Sequence, residues 1–255
     1  MCFDEDSRPP IPPIAGAAVD GRRITLHAAD GTDFAAFAAQ PAQPNGAAML
    51  ILPDVRGLYT FYEELALRFA EAAVAALTID YFGRTAEMPP RGADFDFMAH
   101  VDQLSWPTLQ HDMKAGVDEL RARPGVRAVF SVGFCMGGRL AFLSATLREL
   151  GLSGAIGFYG PPHVPRGDIP APVAEVRSDQ APVLGLFGGD DRSIPADAIA
   201  GFDRALADAG VNHELVTYPD APHSFFDRTA EQHAADSADA WKRILEFVKT
   251  STPAA

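Results

Sequence analysis

Short, continuously apolar runs that recur between helix-compatible stretches constrain this chain more than any other feature. The runs are Ala47–Leu52, Ala75–Asp80, Val126–Phe134, Gly154–Tyr159 and Val183–Gly188, and Glu214–Tyr218 closes the series. Between and after them, Phe61–Ala73, Leu109–Arg121, Arg139–Leu150, Ala196–Ala209 and His233–Thr250 read as helices. A strand without polar alternation must be covered on both faces, and intervening helices let successive strands run parallel. The expected fold class is therefore α/β, with a mostly parallel central sheet and helices on both faces. Ahead of the series, Arg22–His27 and Phe34–Ala39 read as an antiparallel hairpin turning at Asp30-Gly31.

No repeat or linker interrupts residues 21–255, which are expected to form a single domain. Residues 1–20 contain Pro9, Pro10, Pro12 and Pro13 and read as an extended arm. The stretch Pro89–Trp106, with Pro89, Pro90 and Gly92, is the least regular. It falls on the carboxyl side of the sheet, where ligands of α/β proteins sit, and reads equally as a wall of a pocket or as a plain surface loop.

A formal charge of −13 argues against nucleic acid, whose binding needs clustered Lys and Arg, and against anionic membranes. No run of apolar residues is long enough to span a bilayer. The acidic start Met1-Cys2-Phe3-Asp4-Glu5-Asp6 lacks the layout of a signal peptide. With only Cys2 and Cys135, a disulfide framework is not expected, and a reducing, cytoplasmic location is. Scattered histidines without H-x-x-x-H or C-x-x-C point to no metal site, and no G-x-G-x-x-G or Walker loop follows a strand. The expected partner is a small molecule, with no cofactor, and the chain a monomer or small homo-oligomer.

Three clusters carry chemistry. Gly133-Phe134-Cys135-Met136-Gly137-Gly138 lies between an apolar strand and a helix-compatible run. This is the G-x-S-x-G nucleophile elbow with Cys in place of Ser, the small residues allowing a strained turn and close helix approach. The helix N-terminus that follows favours negative charge at that spot, and the Met136 N–H is an oxyanion donor candidate. A buried free cysteine with no chemical role is the plainer alternative. The second cluster, Leu186-Phe187-Gly188-Gly189-Asp190-Asp191-Arg192-Ser193-Ile194-Pro195, puts acids at a strand's carboxyl end. One can orient a histidine and the other cap a helix, and the spacing leaves Asp190 and Asp191 open. The third, Tyr218-Pro219-Asp220-Ala221-Pro222-His223-Ser224-Phe225, places His223 after the last strand and ahead of the last helix. Nucleophile, acid and histidine stand in the chain order of α/β-hydrolases.

These three motifs together resemble the dienelactone hydrolase family over roughly residues 20–250. The resemblance implies the α/β-hydrolase fold and cleavage of an ester or lactone bond by Cys135, His223 and Asp191. It favours Asp191 because the family's acid immediately precedes the residues matching Arg192-Ser193-Ile194-Pro195. It also implies that Asp54, in Leu52-Pro53-Asp54-Val55-Arg56-Gly57, stands where the family commonly keeps a Glu near the resting thiol. The Val55 N–H then becomes the second oxyanion donor. Members acting on carboxylated lactones hold the substrate carboxylate with two arginines. Arg84 matches the first, and Arg228 the second with one extra residue after His223. Arg56 is a further candidate outside the pattern. The rival readings are a general carboxylesterase or thioesterase on uncharged acyl groups, and a catalytically idle binding domain.

Overall fold

The computed structural model describes residues 7–253 apart from Ala15, Gly16, Ala18 and Ala93; Cys2 and the acidic start lie outside them. Eight strands form one sheet in the order β1-β2-β4-β3-β5-β6-β7-β8. The opening hairpin pairs β1 (Val19–His27) with β2 (Asp33–Pro41), and its turn carries Gly31 at φ 87°. The first strand starts three residues earlier than expected. From β2 the chain pairs antiparallel with β4 (Ala75–Ile79), and every pairing beyond is parallel: β4 with β3 (Ala47–Leu52), then β5 (Ala128–Phe134), β6 (Gly154–Phe158), β7 (Val183–Gly188) and β8 (His213–Tyr218).

Strands β3 to β7 are buried along their whole length, which is why their sequences run apolar without alternation. Alternate residues of β3 serve opposite faces. Met49 and Ile51 meet α1 (Thr60–Glu71) and α6 (Ala234–Ser251) through Phe61, Leu65, Phe69, Ile244 and Val248. Leu50 and Leu52 meet α3 (Trp106–Arg121) and α4 (Met136–Thr146) through Leu109, Met113, Val117, Leu140 and Leu143, while α5 (Ala196–Asp208) buries Phe202 and Leu206. The α/β-hydrolase expectation thus matches the observed architecture. Among the described residues, no helix is long and apolar enough to cross a membrane.

The boundaries of α4 and α3 differ from the expected ones for identifiable reasons. Helix α4 begins at Met136 rather than Arg139, because the elbow feeds straight into it, and it ends at Thr146 before a 3-10 turn at Arg148–Leu150. Helix α3 starts at Trp106, since Pro107 fits a first helical turn, where no N–H is needed. Within the irregular stretch lies a short helix, α2 (Phe97–Val101), capped by the Asp96 carboxylate on Ala99 N–H. Of the proline-rich arm, Arg8 pairs with Glu64 at 3.0 Å and Ile14 N–H donates to Glu71 at 2.9 Å, so its described residues run along α1.

Two glycines test this packing in opposite directions. A Cβ on Gly137 would sit 1.9 Å from Leu52 O and 2.3 Å from Pro53 O, both backbone atoms with no way to yield. Gly137→Ala is therefore expected to cost about 3 kcal/mol or more in denaturant unfolding. Gly201 lies inside α5 with only the flexible Arg204 side chain at 3.9 Å, so Gly201→Ala should stabilise by about 0.5–1 kcal/mol in the same assay.

Candidate active site

Cys135 lies at the junction where β5 becomes α4, with φ 55° and ψ −111°, a backbone region that side chains other than glycine rarely enter. The turn is held from both sides. Cys135 N–H donates to Phe158 O at 3.0 Å on the neighbouring strand, and Cys135 O accepts from Arg139 N–H at 3.1 Å in the helix. Gly133 must lack a Cβ because one would come within 1.8 Å of Gly137 O. The thiol is partly buried and free, above the stacked rings of Phe134 and Phe158, whose centroids are 4.7 Å apart.

The same close approach carries α4 onto the end of β3. Gly137 lies on the carbonyls of Leu52 and Pro53, and the chain turns there through Asp54 and Val55 to Gly57, at φ 74°. Val55 follows Pro53 by two residues, and Met136 is the first residue of α4, where a helix leaves its N–H without an intrahelical acceptor. Asp54 is fully buried. Its Oδ1 accepts from Arg56 N–H at 2.9 Å, its own N–H donates to Tyr62 Oη at 3.0 Å, and Tyr81 Oη donates to Pro53 O at 2.9 Å. Burial, then the charges of Asp54, Asp80, Asp112 and Cys135, push the Tyr81 phenol well above its ordinary value. Asp54 and Cys135 thus both act on the Tyr81 phenol.

Strand β7 ends at Gly188 and β8 at Tyr218, and the loops beyond them pack backbone against backbone. Gly189 N–H donates to Tyr218 O at 2.7 Å, and Asp190 N–H to Ala221 O at 3.0 Å. This leaves Asp190 exposed and turns Asp191 inward. Asp191 Oδ2 lies 2.6 Å from His223 Nδ1, while Oδ1 accepts from Ser193 Oγ at 2.6 Å and Ser193 N–H at 2.9 Å. Burial drives the Asp191 carboxyl upward, but the His223 and Ser193 hydrogen bonds outweigh it and hold it below its ordinary value. Ser193, unremarked in the motif, thus fixes the acid that fixes the histidine.

Arg84 and Arg228 lie in different surroundings. Arg84 makes hydrogen bonds through Nε and Nη2 to Asp30 and through Nη1 to both oxygens of Asp112. Against the opposing effect of burial, Arg84 and Thr32 hold the Asp30 carboxyl down to about 2. The guanidinium is thus engaged by two carboxylates, and a substrate carboxylate would have to compete with Asp30 and Asp112 for it. Arg228 lines a cleft of about 580 Å³ with arm residues Arg8, Pro9 and Pro10, and Asp227, one position nearer His223, is buried.

Arg56 instead follows Val55 directly and lies over the rings of Tyr59 and Phe97, 5.4 and 5.6 Å from their centroids. It borders a small cleft of about 50 Å³ whose far wall is Arg91, Gly92, Phe95 and Phe97. The irregular Pro89–Trp106 stretch therefore does shape a pocket. Arg91 itself is paired in two hydrogen bonds with the buried Asp80, at 2.8 and 2.7 Å. The sequence reading also passed over Tyr159 and Asp227, joined at 2.5 Å beside His223; nothing in the sequence around them marks the pairing.

Comparison with known proteins agrees with this geometry. Residues 34–252 match the model of the dienelactone hydrolase family. An Escherichia coli K12 protein provisionally named carboxymethylenebutenolidase is 29% identical over 229 residues, covering 86% of this chain and 83% of its own length. A Salmonella typhimurium protein of the same provisional name is 30% identical over 237 residues, covering 88% and 85%. A crystal structure from Klebsiella pneumoniae, provisionally named dienelactone hydrolase, superposes with a TM-score of 0.78 at 26% identity, covering 91% of this chain and 99% of that one. A cysteine elbow at the head of α4, an acid after β7, a histidine after β8 and a family match across most of the chain lead to one conclusion: the chain belongs to the dienelactone hydrolase family.

Proposed function

We propose that this protein is a carboxylic-ester hydrolase that opens an ester or lactone through a Cys135 thioester. The observation that carries the reading is the 2.6 Å contact between His223 Nδ1 and Asp191, with Cys135 held at positive φ on the α4 N-terminus. His223 Nε2 takes the thiol proton, and the sulfur attacks the carbonyl carbon. The carbonyl oxygen becomes an oxyanion facing the Val55 and Met136 N–H groups, each donor of this kind being worth about 3–4 kcal/mol. The C–O bond breaks, and His223 returns its proton to the departing oxygen. Water then attacks the thioester, His223 taking its proton, and the acid leaves as Cys135 regains its hydrogen. Asp54, buried one residue before the Val55 donor, is the second carboxyl that this reading assigns to the resting thiol.

The reading extends to acyl groups that carry a carboxylate. With Arg84 committed to Asp30 and Asp112, the cation we assign to that carboxylate is Arg56, whose planar fork stands beside the oxyanion loop. Arg228 is the second cation of the proposal. The engagement of Arg84 also favours a second reading, an esterase or thioesterase for uncharged acyl groups.

Two experiments test the thioester route and the carboxylate site in turn. Cys135→Ala should abolish hydrolysis of both a carboxylated dienelactone and a neutral activated ester, with the circular dichroism spectrum unchanged. Full activity in that variant would falsify the thioester route. Arg56→Met should raise KM for the carboxylated lactone about tenfold, or 1.4 kcal/mol, and leave the neutral ester unaffected, whereas Arg84→Met should lower thermal stability rather than discriminate. Equal treatment of both substrates by wild type and Arg56→Met would favour the second reading.

Asp191 also predicts a pH dependence. Its carboxyl is held below the ordinary value of 3.8, so the ionised form stabilises the fold above that pH, and the contribution is lost as pH falls further. Wild type should exceed Asp191→Asn in thermal midpoint at pH 7, and the gap should close below about pH 3.8. A gap that widens in acid would contradict this assignment.

A further inference from the structure

Tyr159 closes β6 at a strained backbone position, φ 35°, and the reaction described above gives it no part. Its N–H donates to Leu186 O at 2.8 Å on β7, which pins the residue to the sheet. Its ring lies against the His223 imidazole, 4.9 Å between centroids at 54°. Its hydroxyl donates to Asp227 Oδ2 at 2.5 Å, and the other carboxylate oxygen accepts from Arg228 N–H.

Both Tyr159 and Asp227 are buried, at 0% and 5% exposure. Burying a phenol and a carboxyl is unfavourable unless their bonds are made, and here both oxygens of Asp227 have donors. The arrangement is held by one turn. Ser224, at φ 67°, offers its carbonyl to Asp227 N–H at 3.1 Å and to Thr229 N–H at 3.3 Å, so His223 and Asp227 leave the same loop in fixed relation. Burial, with the nearby charge of Asp54 adding to it, pushes the Asp227 carboxyl well up, against the pull of Tyr159, Arg228 and His223. An apolar side chain would fill this site without that conflict.

We propose that Tyr159 and Asp227 form a positioning pair that holds the His223 imidazole in line between Asp191 and the Cys135 thiol. The inference rests on the reading of His223 as the base for Cys135. Asp191 and Ser193 Oγ hold the Nδ1 edge of the ring, at 2.6 and 3.4 Å, and contacts to one edge fix a point rather than a plane. The Tyr159 ring, held by its bond to Asp227, packs against the imidazole and limits its tilt. It also places an aromatic ring 4.9 Å, centroid to centroid, from the imidazolium formed on proton transfer, within the range at which aromatic rings attract cations. Proton transfer is steeply sensitive to this alignment.

The test uses the full chain, with the thermal midpoint, kcat and KM on a neutral activated ester, and the rate of Cys135 alkylation by iodoacetamide followed by mass spectrometry. Tyr159→Phe keeps the ring and removes only the hydroxyl. It should lower kcat and the alkylation rate about tenfold, with KM changed less than about twofold. The thermal midpoint should move by no more than about 2 °C. Asp227→Asn retains an oxygen acceptor for the Tyr159 hydroxyl and should stay within about threefold of wild type, whereas Asp227→Ala should match Tyr159→Phe. The Tyr159→Phe/Asp227→Ala double variant should be no slower than either single one, because the two act as one unit. Wild-type kcat in Tyr159→Phe, a loss confined to KM, or losses that multiply in the double variant would each overturn the pair. If Asp227→Ala does not fold, Tyr159→Phe and Asp227→Asn decide the matter. His223→Ala separates the levels: an inactive His223→Ala beside a fully active Tyr159→Phe removes only the positioning pair, while an active His223→Ala removes the base assignment and the pair with it.

Discussion

The contact on which the rest of the site depends is backbone against backbone, where the first turn of α4 meets the end of β3. At Gly137 the helix approaches the Leu52 and Pro53 carbonyls so closely that no Cβ fits between them. That approach sets the elbow at its strained φ, aims the α4 N-terminus at the sulfur, and carries the loop bearing Asp54, Val55 and Arg56 alongside. Backbone strain of this kind persists only where the surroundings over-determine it. Here they do, through Phe158 O on one side and Arg139 N–H on the other.

Acidic residues outnumber basic ones, and the fold gives four of the buried ones a defined set of donors. Asp80 takes both arms of Arg91, Asp112 takes Arg84, Asp191 takes His223 and Ser193, and Asp227 takes Tyr159 and a backbone N–H. A net charge of −13 therefore says little about the site, whose local field is set by these pairings. The same economy of donors explains the arginines. A guanidinium that neutralises two carboxylates is a strut, as Arg84 is, while Arg56 lies over the faces of Tyr59 and Phe97.

Much of this was legible in the residues. Uninterrupted apolar strands such as Ala47–Leu52 carry their two-sided burial in their composition, and the elbow carries its shape in Gly133 and Gly137. The motifs around Asp191 and His223 mark loops at strand ends, because turn-forming residues follow apolar runs there. Less legible were the helix starts, since Pro107 and Met136 are compatible with either a loop or a first turn. The Tyr159–Asp227 pair was not legible, because 68 positions separate its members and neither has a distinctive neighbourhood.

The sequence by itself determined the fold class and the chain order of nucleophile, acid and histidine, because periodicity and strand-end motifs are local properties. The spacing left Asp190 and Asp191 open and the family resemblance favoured Asp191; only the tertiary structure turns that carboxylate inward to His223 and decides which arginines are bound by carboxylates distant in the chain. Hydrogen-bond partners are chosen by the packing of loops from β6, β7 and β8, and that packing is written in no single segment.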